Sequence, residues 1–230
     1  MNPTSVFDDF GAYLQAFGYT FSLFVVAGAL SMVLGTVLAA MRVGPIAVLR
    51  VAGTTYVTVV RNTPLVIVFA FFSFAAPIFS IRFNWLDVHV GSFDFTAFFG
   101  AAVVSLTLYT STFVCEAIRS GINAVSLGQA EAARAIGLPF AGVMREVVLP
   151  QAFRASVPPL ASVQIALIKN TSVAAVFGIA EAVAQMRSFT NDFSSQRTGI
   201  FLLFALGYVV IVEAFSFLAG RIERRWRVAT

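Results

Sequence analysis

The sequence predicts an all-α membrane protein with five transmembrane helices, on two observations. First, 59% of its 230 residues are hydrophobic and 11% are charged, with a mean hydropathy of +0.88, whereas about a quarter of the residues in soluble domains are charged. Second, five apolar runs are each long enough to cross the roughly 30 Å hydrocarbon core of a bilayer. A polar insert at 126–151 separates the third run from the fourth. We therefore expect residues 1–230 to form a single transmembrane domain in a lipid bilayer.

The five runs mark the expected helices to within several residues. They are Tyr19–Met41, Val51–Ile78, Thr96–Ile118, Val157–Ala180 and Gly199–Gly220. Because the number of spans is odd, the two termini should lie on opposite sides of the membrane. The segment 80–95, between the second and third runs, indicates a loop on the outer side.

Basic residues set the expected orientation, because Lys and Arg are concentrated in cytoplasmic loops. Of the 15 basic residues, those that follow the first, third or fifth run are Arg42, Arg50, Arg119, Arg134, Arg145, Arg154, Arg221, Arg224, Arg225 and Arg227. Those on the other side are Arg82, Arg187 and Arg197. This asymmetry predicts an N-terminus outside, with the polar insert and the C-terminus in the cytoplasm.

The polar insert has the pattern of two short helices joined by a tight corner. Ser126 and Gln129 have the spacing of a capping box before the first helix, 130–136. Gly137 is placed to end that helix in a left-handed conformation, and Pro139 to begin the second. The second helix carries Val143, Met144, Val147 and Val148 on one stripe, Arg145 and Glu146 off it, and Pro150 after its end. From the residues alone, docking into another protein and folding back onto the bundle are equally good interpretations.

Two basic residues remain, and both fall inside apolar runs. At 1.5 Å per residue, Arg61 lies roughly 15 Å and Lys169 roughly 18 Å from the cytoplasmic start of its run. A charge at that depth costs roughly 2.5–3.5 kcal/mol on insertion scales, so each should face the protein interior, a partner or a wet cavity. Polar, helix-weakening residues follow both cations: Asn62, Thr63 and Pro64, and then Asn170, Thr171 and Ser172. Broken helices flanked by cations are typical of a pathway for a small anion or zwitterion.

The alternative is that these cations pair with acids and stabilise the bundle. Glu116 is the natural candidate partner, although it lies nearer the cytoplasmic end and Arg119 is only three residues from it. A substrate-contacting role and a structural role therefore both stay open for Arg61 and Lys169.

The insert also resembles a motif of the permease subunits of bacterial ABC importers. Its phrases Glu131-Ala132-Ala133, Gly137-Leu138 and Leu149-Pro150-Gln151-Ala152 are similar to the EAA motif of that family. There the loop is the coupling helix, which inserts into a cleft of the ATPase subunit. The resemblance implies a coupling loop at about 126–151, whose coupling residues are Glu131, Ala132, Ala133, Gly137, Leu138, Arg145 and Pro150.

Further phrases resemble the polar amino-acid uptake branch of these permeases. They are Arg61-Asn62-Thr63-Pro64-Leu65, Tyr109-Thr110-Ser111, Glu116 with Arg119-Ser120-Gly121-Ile122, and Lys169-Asn170-Thr171-Ser172. Some are similar to a glutamate permease subunit of actinobacterial uptake systems, which implies glutamate as the substrate. The implied substrate pathway comprises Arg61, Asn62, Thr63, Glu116, Lys169, Asn170, Thr171 and Ser172. If Lys169 meets the substrate, its expected partner is the α-carboxylate that all such substrates share and not the variable side chain.

The family also sets the expected partners and location. Its members work with a second permease subunit, homologous or identical, with two cytoplasmic ATP-binding subunits, and with an extracytoplasmic amino-acid-binding protein. The expected location is the bacterial cytoplasmic membrane, crossed several times. No nucleic-acid partner is expected.

The chain offers little for catalysis of its own. Lys169 is the only lysine and does not lie in the Gly-Lys-Ser/Thr phosphate loop that an ATP site needs. Hydrolase signatures are absent. With one histidine, His89, and one cysteine, Cys115, we expect no metal site and no cofactor. The chain is therefore expected to be a non-catalytic translocation subunit, with ATP hydrolysis on a partner chain.

Two other classes of function compete with this one. An ion-coupled secondary carrier or channel would need no ATPase, but such carriers often have duplicated halves, and no internal repeat is evident. A membrane scaffold without a pathway would leave Arg61 and Lys169 without a role in transport.

Overall fold

The computed structural model describes residues 9–83 and 87–226, which are predominantly helical. The helices are α1 (Phe10–Val43), α2 (Ala47–Asn62), α3 (Leu65–Ala70), α4 (Ala97–Asn123), α5 (Leu127–Ala135), α6 (Phe140–Gly142), α7 (Leu149–Asn170), α8 (Ala182–Asp192) and α9 (Arg197–Trp226). The wider π-helical segments are Phe71–Ala75 and Val143–Val148, and the tighter 3₁₀ segments are Ala76–Phe79, Thr171–Phe177 and Ser194–Gln196. Arg227, which contributes to the predicted orientation, lies outside the described residues.

Helices are present at all five predicted runs. The continuous stretches that are long and apolar enough to cross a membrane are Phe10–Val43, Ala97–Asn123, Phe140–Phe177 and Ser194–Arg225. A further candidate is the pair Ala47–Asn62 and Leu65–Phe79, whose two parts meet at 101°. The described chain therefore has four candidate spans, or five if the bent pair crosses as one. The predicted all-helical class is confirmed, although the first helix begins at Phe10 and not near Tyr19.

The break in the second run is sharper than a kink. Thr63 is extended, with φ −87° and ψ 128°, and separates α2 from α3. Pro64 explains this geometry because its ring disfavours the helical conformation for the residue before it and because it lacks a backbone donor. The sequence therefore predicts the position of the break but not its 101° angle.

The core forms where α4 packs between α1 and α7. A Cβ added to Gly35 would lie 2.5 Å from Val114, and one added to Gly121 would lie 2.0 Å from Ser156 Oγ. Because lipid is as apolar as leucine, close packing of small residues drives helix association in membranes. The fully buried leucines at the centre are Leu23, Leu106 and Leu167.

The two ends of this bundle differ. We call the end that carries α5 and α6 the insert end, and the opposite end the hairpin end. At the hairpin end, the segment 80–95 contains an antiparallel hairpin of β1 (Val88–Val90) and β2 (Phe93–Phe95), where the sequence indicates only a loop. Phe93 packs edge-on against Tyr19 of α1, with ring centroids 5.1 Å apart. Helix α8 is a second element at this end that the sequence analysis does not anticipate.

Candidate functional site

The elements that follow the two predicted pathway phrases pack against each other in the structure. Helix α3, which follows the break at Thr63, packs against the 3₁₀ segment Thr171–Phe177 that follows α7. The ring of Phe69 stacks on that of Phe177, with centroids 5.2 Å apart. Arg61 and Lys169 lie in the last turns of α2 and α7, eight residues before Phe69 and Phe177 respectively.

Arg61 lies exposed near the end of α2, and its guanidinium carbon is 5.6 Å from the centre of the Phe113 ring of α4. A cation–π contact of this kind is worth about 0.5–1 kcal/mol at an exposed site. Asn62 is also exposed, and the hydroxyl of half-buried Thr63 donates to Val59 O at 2.9 Å. Within residues 9–83 and 87–226, Arg61 makes no ion pair.

Lys169 lies exposed in the last turn of α7, and among the residues that the structure describes it also has no ion pair. The residues after it tighten into a 3₁₀ helix, as the polar phrase suggests. The hydroxyl of buried Thr171 donates to Ile168 O, and that of Ser172 donates to Lys169 O, both at 2.7 Å. Asn170 is half-buried between them. The hydroxyls thus satisfy carbonyls at the end of the helix.

Glu116 pairs with neither membrane cation. The guanidinium of Arg42 donates to one of its carboxylate oxygens, and that of Arg119 donates to the other at 3.1 Å. Because Arg42 belongs to the last turn of α1, this cluster ties α1 to α4 towards the insert end. The spacing of three residues anticipates the contact with Arg119. Arg42 is 74 residues away, and no local pattern reveals that contact.

The corner of the insert forms as the sequence predicts. Helix α5 ends at Ala135, and Gly137, two residues further on, is left-handed with φ +90°. The Gly137 N–H donates to Arg134 O at 2.9 Å, and the Leu138 N–H donates to Ala133 O at 3.2 Å. This pair of bonds is a Schellman motif, which stops a helix and satisfies its last carbonyls.

Two details of the insert differ from the prediction. Ser126 is the N-cap residue of α5, but its side chain makes no capping hydrogen bond, so the predicted capping box is wrong. Pro150 does not end the second helix, because the chain stays helical from Phe140 to Phe177. The π-helical segment Val143–Val148 ends two residues before that proline, and wider turns of this kind accommodate a missing donor inside a helix.

The coupling residues implied by the EAA resemblance are mostly at the surface of the insert. Glu131, Ala132, Gly137, Arg145 and Pro150 are exposed, Leu138 is half-buried and Ala133 is buried. The four apolar residues form one stripe, as predicted, and the structure turns it inward: Val143 and Val148 are buried against Ala133, and Met144 and Val147 pack around them. The insert is thus a small helical unit with its own core and an exposed outer face.

The hairpin end contains a buried carboxylate that the sequence does not predict. Glu181 is fully buried at the start of α8, and its Oε1 accepts the N–H groups of Val183 and Ala184 at 2.9 and 3.0 Å. The Tyr208 hydroxyl of α9 donates to its Oε2 at 2.9 Å, and the Thr20 hydroxyl of α1 lies 3.4 Å from the same oxygen. One carboxylate thereby joins α1, α8 and α9. A lone Glu directly after a long apolar run is the only sequence signal for it.

Burial raises the pKa of the Glu181 carboxyl from its usual 4.5 to about 7, although the four hydrogen-bond contacts act in the opposite direction. Glu181 lies outside the candidate spans, between the third continuous stretch and α9. Loss of hydration therefore outweighs the hydrogen bonds, and the group titrates near neutral pH.

Within residues 9–83 and 87–226, no group of three or more His, Cys, Asp or Glu side chains could hold a metal ion. The polar groups of the candidate site are instead cations, hydroxyls and amides at helix breaks. Such groups suit the binding of a small polar solute within a membrane bundle.

A membrane bundle with polar helix breaks and a protruding helical corner has the features of a transport component, and comparison with known proteins agrees. The model of the family described as "Binding-protein-dependent transport system inner membrane component" matches residues 31–228. The chain therefore belongs to this family. It is a multi-pass protein of the bacterial cytoplasmic membrane.

Individual proteins are similar over nearly the whole chain. The "Glutamate transport system permease protein GluC" of Corynebacterium efficiens is 40% identical over 94% of both chains. The "Probable glutamine ABC transporter permease protein GlnM" of Bacillus subtilis is 34% identical over 98% of both. A structure titled "Crystal structure of an amino acid ABC transporter with histidines" aligns with a TM-score of 0.80 and 27% identity, again over 94% of both chains.

Proposed function

We propose that the chain is the transmembrane permease subunit of an ATP-binding-cassette importer that carries glutamate into the cytoplasm, driven by ATP hydrolysis on a separate subunit. The observation that carries this proposal is the 40% identity, over 94% of both chains, to a protein named as a glutamate transport permease. The cations at the two helix breaks support it, because an anionic amino acid needs positive partners at membrane depth.

In this proposal, residues 1–230 form one permease domain with five spans, and the bent pair α2 and Leu65–Phe79 crosses as one. The N-terminus and the hairpin end face outside, and the insert end and the C-terminus face the cytoplasm. The distribution of basic residues supports this orientation. The last turn of α9 adds Arg224 and Arg225 to the cytoplasmic side.

The two exposed cations support a second permease subunit, homologous or identical, as a partner. In the single chain, Arg61 and Lys169 are exposed. A charge that faces lipid at mid-depth is costly, so these side chains require a wet cavity or another protein. A second permease subunit packed against the helix breaks would supply both and close the pathway between the two subunits.

The outer face of the insert supports docking of the ATP-binding subunits, one for each permease subunit. Leu127 and Ile136 are 80% and 81% exposed, beside the exposed Glu131 and Arg134. An apolar centre with a charged rim is the usual composition of a protein interface. On the other side of the membrane, an extracytoplasmic amino-acid-binding protein would deliver the substrate to the hairpin end.

Continuous helix connects the proposed docking face to the proposed substrate site. The stretch from Phe140 to Phe177 begins at the insert corner and contains Lys169. Movement of the insert by the ATPases would therefore tilt the helix that carries this cation. Lys169 would bind the α-carboxylate of the substrate, with Arg61, Asn62, Thr63, Asn170, Thr171 and Ser172 lining the same pathway and Glu116 holding its cytoplasmic end together.

Replacement of one exposed isoleucine tests the docking face. Ile136→Ser should lower the amount of ATP-binding subunit that co-purifies with the chain, because it removes apolar surface from the proposed contact. Ile78→Ser is the matched control, since Ile78 is also 81% exposed but lies near the hairpin end. Equal recovery of the ATP-binding subunit from both variants would contradict docking at this face.

A further inference from the structure

A pocket at the hairpin end has the chemistry of an anion site and is separate from the proposed pathway. It has a volume of about 270 Å³ and lies between the end of the bent pair and the start of α4. Ser73 and Arg82 supply its side-chain polar groups, and the rings of Phe72, Phe83 and Phe98 line its sides.

Ser73 is the first residue of the pocket that points to a polar ligand. Its side chain is only 7% exposed, and its Oγ has no hydrogen-bond partner within the described part of the chain. Buried serines in membrane helices commonly donate to a carbonyl of the preceding turn, as Ser105 does to Ala101 O at 2.7 Å. Ser73 lies instead in the π-helical segment Phe71–Ala75 and lines the pocket. A buried hydroxyl without a partner is destabilising, and a polar ligand in the pocket would satisfy it.

The charges around the pocket favour an anion. Arg82 is exposed at its mouth and makes no ion pair with any residue that the structure describes. Of the two acids near the hairpin, Asp94 is paired with His89, and Asp87 lies close enough to the same ring to raise the His89 pKa. The first turn of the 27-residue α4 also lines the pocket through Ala97, and the N-cap residue of this helix, Thr96, makes no side-chain capping bond. The open N–H groups and the dipole of a helix N-terminus attract negative charge.

We propose that this pocket binds the carboxylate of a small solute, and that it is an outer holding site for the transported amino acid before the solute reaches Lys169. The guanidinium of Arg82 and the N-terminus of α4 would hold the carboxylate, and the Ser73 hydroxyl would donate to it. The outward orientation and glutamate as the solute rest on the proposed function. The preference for an anion rests only on the pocket itself.

Chemical modification of Arg82 tests the site directly. The protein, with the subunits that co-purify with it, is placed in phosphatidylcholine nanodiscs and treated with the arginine reagent phenylglyoxal, and adducts are measured by peptide mass spectrometry. L-glutamate should slow the modification of Arg82 several-fold and leave that of Arg187, an exposed arginine of α8, unchanged. An unchanged rate at Arg82 under saturating glutamate would overturn the proposal.

Two serine variants test whether glutamate protects Arg82 by binding in this pocket or indirectly from another site. Ser73→Ala should require several-fold more glutamate for the same protection of Arg82. Ser105→Ala, at a buried serine whose hydroxyl already has a partner, should behave as the unaltered chain does. Equal protection in both variants would exclude Ser73 from the site and overturn its assignment.

Lipid phosphate offers the same anionic chemistry, and a further arm distinguishes it from a solute. Nanodiscs that contain phosphatidylglycerol, without glutamate, should leave Arg82 as reactive as phosphatidylcholine nanodiscs do. Protection by that lipid alone would assign the pocket to a headgroup and overturn the solute site. If uptake proves independent of ATP while glutamate still protects Arg82, the proposed function fails and the pocket stands. If ATP-driven glutamate uptake is measured but glutamate does not protect Arg82, the pocket proposal fails and the proposed function stands.

Discussion

At the scale of single residues, the exposed cations Arg61 and Lys169 contrast with the paired cations Arg42 and Arg119. The paired ones share Glu116 and tie α1 to α4. The exposed ones make no ion pair among residues 9–83 and 87–226. Arg61 precedes the break at Thr63, and Lys169 precedes the 3₁₀ segment Thr171–Phe177. This difference favours a structural role for Arg42 and Arg119 and a transport role for Arg61 and Lys169.

Lys169→Ala should lower glutamate uptake by about tenfold or more, because a hydrogen bond to a charged group contributes roughly 1.5–3 kcal/mol. Assembly should be unaffected, since the Lys169 side chain is exposed and has no ion pair in the described chain. Uptake and the yield of assembled complex are measured together, and Lys169→Arg, which keeps the charge, should restore part of the uptake. Loss of the folded complex would show that the residue is structural.

The buried Glu181 gives a prediction about pH. Its pKa is about 7 in the folded protein and 4.5 in the unfolded chain, so between these values the folded state holds a proton that the unfolded state has lost. Stability therefore decreases as the pH rises through this window and levels off above it. Glu181→Gln should remove this part of the slope in thermal unfolding measured in detergent.

The matched control for that experiment is Glu131→Gln, at an exposed carboxylate of α5. It should leave the pH dependence of unfolding as in the unaltered protein. If the pH dependence of thermal stability is the same in Glu181→Gln and in the unaltered chain, titration of Glu181 does not contribute to the stability of the fold.

At the scale of elements, the corner of the insert depends on one backbone conformation. Gly137 is left-handed at φ +90°, and a Cβ there would meet no atom within 4 Å. A Cβ added to Gly128 would also meet no atom within 4 Å, but Gly128 has ordinary helical geometry in α5. The two glycines therefore differ in backbone conformation and not in packing.

Alanine at these two positions should have opposite effects on α5. Gly137→Ala should destabilise the corner by about 1–2 kcal/mol, because a Cβ disfavours the left-handed conformation. Gly128→Ala should stabilise α5 by up to about 1 kcal/mol through helix propensity. Hydrogen exchange of the Leu127–Ala135 amides should be faster in the first variant and slower in the second. If hydrogen exchange becomes faster in both variants, or slower in both, the left-handed conformation of Gly137 does not determine the stability of the corner.

Elements with local causes are the ones that the sequence predicts. Pro64 breaks a helix by its own chemistry, and Gly137 ends one, so both appear where expected. The contact of Arg42 with Glu116 and the Glu181 cluster join residues that are 74 and 161 apart, and local spacing cannot relate them. The hairpin escapes detection because each strand has only three residues. The helix end predicted at Pro150 is wrong because the neighbouring π-helical turn accommodates a residue without an N–H donor.

At the scale of the whole molecule, the helical stretch Phe140–Phe177 links the insert end to the polar breaks. Helix α4 packs closely between α1 and α7, and this packing stabilises the position of the stretch in the bundle. The proposed importer uses both features: an ATPase would move the insert, and the substrate site near Lys169 would open to alternate sides. A carrier coupled to an ion gradient would have no use for an exposed docking corner.

The most direct measurement is glutamate uptake by the co-purified complex in proteoliposomes, with ATP and the ion gradients controlled independently. For an ATP-driven importer, uptake should require ATP hydrolysis and continue after ionophores have collapsed every gradient. Uptake that persists without ATP and stops when an ion gradient is removed would contradict the proposed function.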